Sequence, residues 1–74
     1  MDRNVLRIGD RVETTEEIKD LSFANPIPVG TKGKLTKMYR VQNGWEIWSM
    51  WLDAPIPPSI KFLVSVNNEQ VKKL

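Results

Sequence analysis

Few side chains in this chain of 74 residues could do covalent chemistry, and their types narrow the choice at once. Cysteine and histidine are both absent. Without them there is no thiolate nucleophile, no disulfide, no ordinary zinc site and no neutral-pH imidazole base. The carboxylates Asp10, Glu13, Glu46 and Asp53 stand in no recognisable acid–base pair, and no serine has a candidate base beside it. Asp53 is expected to fix a turn at the end of its strand. No catalytic constellation assembles from these groups, so the chain is expected not to be an enzyme and to carry no cofactor or metal.

Binding chemistry remains, and two sets of residues could supply it. The first is the basic series Lys32, Lys34, Lys37 and Arg40, with Tyr39 among them. Cations spread along one strand can track a phosphate backbone while Tyr39 or Trp51 stacks on a base. The plainer alternative is a solvated edge kept charged against strand-to-strand aggregation. The turn Gly30-Thr31-Lys32-Gly33 adds nothing here, because it lacks the spacing and the following helix of a phosphate-binding loop.

The second set lies in Gly44-Trp45-Glu46-Ile47-Trp48-Ser49-Met50-Trp51-Leu52-Asp53, which holds all three tryptophans. As a strand this stretch points Trp48, Met50 and Leu52 one way and Trp45, Ile47 and Trp51 the other. An ordinary half-buried strand needs only one apolar face. The outward face is expected to lie under loop 22–29 and the N-terminal segment, through Phe23, Ile27, Val5 and Leu6. Otherwise Trp45, Ile47 and Trp51, with the loop prolines Pro55, Pro57 and Pro58, form a protein-binding surface.

The elements that must hold these residues read as short strands. Gly9-Asp10 makes a turn into a strand starting near Val12. Thr14 and Glu17 have capping-box spacing, compatible with a turn or two of helix or with a plain loop. Pro26 and Pro28 bar residues 22–30 from a sheet interior, leaving Phe23, Ile27 and Val29 to tuck beneath a crossing loop. A strand over 34–41 follows, bulging near Thr36 because Leu35 and Met38 are three apart. Asn43-Gly44 is a tight hairpin turn that pairs this strand antiparallel with the tryptophan strand. After the proline loop, Ile60, Phe62, Val64 and Val66 alternate onto one face. A short helical turn over 67–70 and a final strand over 71–74 complete the chain.

Size and charge set outer bounds. Seventy-four residues make one domain, near the lower limit for a single unaided core. Tight packing or self-association must therefore supply its stability. The net charge of +2 hides a division, with four basic and six acidic residues in 1–20 and seven basic and three acidic in 21–74. That basic excess weakly favours anionic partners. No apolar run has the length of a membrane span, and Asp2, Arg3 and Arg7 stand where a signal peptide needs an apolar core, so a cytoplasmic protein is expected.

Gly9-Asp10-Arg11-Val12, then Pro28-Val29-Gly30-Thr31-Lys32-Gly33-Lys34-Leu35, then an apolar strand ending Leu52-Asp53, then 71–74, resembles the small SH3-like barrel proteins of bacteria and mobile elements. That superfamily includes KOW-type modules and electron-transfer accessory subunits. The resemblance spans most of 8–74 and implies a single all-β domain over 1–74, a small five-stranded SH3-like barrel. A long proline-containing loop would follow strand one and a short helical turn would precede the last strand. The expected core is Val12, Leu35, Met38, Trp48, Met50, Leu52, Phe62, Val64, Val66 and Val71, with Ile60 near one end. Plasmid-type dihydrofolate reductases share this fold, but their Val-Gln-Ile-Tyr strand is missing from 60–66, so their activity is not implied. The preferred function is a non-catalytic module that binds a protein partner or forms a homodimer through the tryptophan and proline face. The competing function is a nucleic-acid-binding, KOW-like module using the basic strand.

Overall fold

The computed structural model describes residues 5–21 and 23–74, with Gln42 described by its backbone. The charges at Asp2 and Arg3, and Ser22 of the crossing loop, lie outside the described residues. The described chain is all-β, with five antiparallel strands in one unclosed sheet and no helix. The strands are β1 (Arg11–Thr14), β2 (Lys32–Gln42), β3 (Trp45–Leu52), β4 (Leu63–Asn67) and β5 (Val71–Lys73). They lie in the order β4-β3-β2-β1-β5, so the last strand returns to pair with the first. No helix among the described residues is long and apolar enough to cross a membrane.

The hairpin of β2 and β3 is the spine of the sheet. Asn43 and Gly44 both adopt positive φ, at 52° and 80°, which lets a two-residue turn follow the strands' own twist. Cross-strand partners share a face, so the register sorts the side chains. Leu35 faces Met50 and Met38 faces Trp48 on the inner side, as a bulge at Thr36 requires. A second register shift at Tyr39 follows three residues later.

The core on that inner side joins Val12, Leu35, Trp48, Met50, Leu52, Val64, Val66 and Val71 to Leu6, Ile18, Phe23 and Ile27. The last three come from the long connection after β1. This connection closes on itself through paired bonds between Ile18 and Ile27, of 2.9 and 2.8 Å. Ile27 can make them because it stands between Pro26 and Pro28 and keeps the amide that its neighbours lack. Thr14 anchors the connection's return. Its buried hydroxyl donates to Pro28 O at 2.9 Å and accepts from Thr31 N at 3.0 Å. The segment from Thr15 to Leu21 is accordingly a loop, and Thr14, the last residue of β1, caps no helix.

Several expectations about the core need correction. Met38 is 40% exposed, because β1 pairs with β2 only through Lys34 and the inner face beyond it opens to solvent. Ile60 is 85% exposed. It precedes β4, where Lys61 N donates to Ser59 Oγ at 3.0 Å and the local turn breaks the alternation. Phe62 is only partly buried, and Val29 is exposed. Before β5 there is a hydrogen-bonded turn in place of the expected helical one, with Gln70 N donating to Asn67 O at 3.1 Å.

Asp53, expected to fix a turn, instead spends its carboxylate on another strand. Its carboxylate takes both ends of the Arg11 guanidinium, at 3.0 and 2.6 Å, joining the start of β1 to the end of β3 across β2. Both side chains are about half exposed, so the pair contributes only about 0.2–1 kcal/mol.

Candidate functional site

The outer face of β2, β3 and β4 carries residues from both candidate sets. Lys34 stands opposite Trp51, Lys37 opposite Ser49, and Arg40 opposite Ile47. Trp51 in turn stands opposite Leu63, Ser49 opposite Ser65, and Ile47 opposite Asn67. Lys34, Lys37 and Arg40 are three apart in sequence and would alternate between faces on a regular strand. The extra residues at Thr36 and Tyr39 each reset the alternation, so all three cations share the tryptophan face. They are spaced by two positions of β3, about 7 Å apart along the strand.

Lys32 is separate from this row. Its cross-strand partner is Glu13, and its carbonyl accepts from Asp53 N at 3.0 Å, so it sits at the acidic end of the sheet. None of Lys34, Lys37 and Arg40 forms an ion pair among the described residues. Lys37 Nζ lies 5.9 Å from the centre of the Tyr39 ring, within cation–π range. Tyr39 also lines a small cleft with Ser49, Leu63, Ser65 and Asp20. The expectation of a plain charged edge holds in part. Lys34 is flanked by β1 and β3, whereas β2 beyond Leu35 pairs only with β3.

Trp45 and Trp51 are 44% and 49% exposed, so both indoles stay about half open where cover was expected. Phe23 and Ile27 are spent on the core instead, and Val5 is itself exposed. Nor do the two indoles make one patch, since about six residue steps along the strand set them about 20 Å apart. Trp51 stacks on Phe62, with ring centres 5.3 Å apart and planes 11° from parallel. This end leads into the loop of Pro55, Pro57 and Pro58, whose rings are exposed. Pro57 O accepts from Asn25 Nδ2 at 3.2 Å, tying that loop to the long connection after β1.

Trp45 belongs to the other end, at the hairpin tip. There Arg40, Asn43, Trp45 and Ile47 line an open cleft of about 300 Å³. Two residues without any signal in the sequence beyond turn chemistry complete this region. Asn43, read only as a turn former, contributes to the cleft wall. Asn68 clamps the hairpin end, accepting from Glu46 N at 2.8 Å and donating its amide to Gly44 O at 3.4 Å, while its own backbone N donates to Glu46 O at 3.2 Å. Glu46 is occupied on the opposite face, where its carboxylate accepts from Trp48 Nε1 at 3.0 Å and satisfies the buried indole. Among the described residues no three potential metal ligands come together. The chain matches no family model, and no curated protein or solved structure matches it significantly.

Proposed function

We propose that this protein is a non-catalytic binding module, an open SH3-like barrel whose working surface is the outer face of β2, β3 and β4, and that its ligand is nucleic acid. The strand order β4-β3-β2-β1-β5, with a long connection after β1 and β5 returning to β1, supports the barrel reading. One observation carries the functional reading. Two bulges place Lys34, Lys37 and Arg40 in a row beside Trp51, Tyr39, Ile47 and Trp45. Unpaired cations at strand spacing suit successive phosphates, and exposed rings beside them suit bases. An edge strand protected from aggregation needs charge, but it needs no aromatic groups in register with that charge.

A salt titration tests this reading. Affinity for a polynucleotide should fall steeply as salt rises. Replacing Lys34 and Lys37 together by alanine should flatten the log–log slope by about 1.4–1.8, the share of two phosphate contacts. A slope unchanged by the double substitution would reject the basic row as the contact. A protein partner docked on Trp51, Phe62 and Leu63, or on the proline loop, is the second reading. The half-exposed Trp51–Phe62 stack favours it, and such binding would be nearly insensitive to salt.

A further inference from the structure

We infer that the cleft at the hairpin tip, lined by Arg40, Asn43, Trp45 and Ile47, takes one unpaired base of a single-stranded nucleic acid whose backbone continues along Lys37 and Lys34. This rests on the reading of the outer face as a nucleic-acid surface, and it specifies which form of nucleic acid binds and where its base is held.

The cleft's lining is chemically mixed in the way a base requires. The lining residues are the half-exposed Trp45, with its indole, the aliphatic Ile47, Arg40 with a planar cation and Asn43 with an amide that both donates and accepts. A volume of about 300 Å³ is enough to seat a single base. Stacking on the indole needs an open π-face, which a base inside a duplex does not present.

Charge and rigidity point the same way. Glu46, the one carboxylate within β2, β3 and β4, is turned to the inner face and held by Trp48 Nε1, which leaves Asp20, in the cleft with Tyr39 and Ser49, as the acid that a backbone passing Lys37 would meet. The cleft stands on backbone already fixed by the positive φ of Asn43 and Gly44 and by the three bonds to Asn68. Little ordering is then left for the ligand to impose. From Arg40 the row steps to Lys37 and Lys34 at about 7 Å intervals, comparable with successive phosphates on an extended single strand.

The test is fluorescence anisotropy with labelled oligonucleotides of about 12 residues, single-stranded DNA and RNA and the matching duplex, at about 50 and 200 mM salt. The single strand is expected to bind at least about 10-fold more tightly than the duplex. Trp45→Ala should lose about 10-fold or more in single-strand affinity with its salt slope intact, and Trp45→Phe should recover most of the loss. Circular dichroism and thermal unfolding of each variant keep a folding defect separate from a binding defect. Equal affinity for single strand and duplex, or unchanged binding by a folded Trp45→Ala, would overturn the base pocket while leaving the outer face as a nucleic-acid surface. No binding of any oligonucleotide at about 50 mM salt would overturn both.

Discussion

Gly33 lies on β2 between Val12 of β1 and Leu52 of β3. A Cβ built at this position would run into the Trp51 carbonyl and crowd the Met50 side chain. The Met50 thioether could shift, but the backbone oxygen could not without breaking the ladder. Gly33→Ala should therefore lower stability by about 1–3 kcal/mol, as overpacking does, with the midpoint of urea unfolding as the measurement. A midpoint equal to that of the unsubstituted protein would show that the sheet can open there at no cost. The same position links fold to site, because Lys34 and Trp51 flank this contact and begin the cationic row.

At the scale of elements, the β2–β3 hairpin decides whether the site exists. Its two bulges bring the cations and rings together, and its turn sets the shape of the cleft. Gly44 has φ of 80° with open space around it, so a side chain there would meet strain and no clash. Gly44→Ala should cost about 1 kcal/mol or somewhat more, seen as a lowered thermal midpoint. Binding of single strands by the fraction still folded should also weaken, because Asn43 and Trp45 flank the strained residue. A variant with unchanged melting would mean that the turn relaxes freely.

At the scale of the whole molecule, the question is whether the exposed apolar groups serve a second copy of the chain. Trp45, Trp51, Tyr39 and Leu63 are each exposed by roughly half, which leaves the outer face open to a two-fold partner. The cationic row argues against such packing, since self-association through this face brings Lys34, Lys37 and Arg40 near their own copies. Sedimentation velocity at about 50 mM salt, where repulsion is weakly screened, should show a monomer. Any dimer should form only as salt rises and repulsion is screened. A tight dimer at low salt, abolished by Trp51→Ser, would instead assign the tryptophan face to self-association.

The sequence alone determined the local features whose causes are local. Asn43-Gly44 dictated the hairpin turn, the Leu35–Met38 spacing required the bulge at Thr36, and the alternation of Trp48, Met50 and Leu52 marked the inner face. Each follows from backbone dihedrals or from a period of two, and neither needs a distant partner. Where each strand's neighbours stop depends on how the strands assemble. Met38 is open because β1 ends its pairing at Lys34, and Ile60 is open because β4 begins at Leu63. Ile18 and Ile27 are buried because they pair with each other across a loop that has no regular period. The candidate site was legible as two separate lists of residues, one basic and one aromatic. Apart from Lys32 and the loop prolines, their members share one face of the sheet because a second bulge at Tyr39 realigns β2 against β3, and that register depends on contacts between strands that neither strand's own pattern contains.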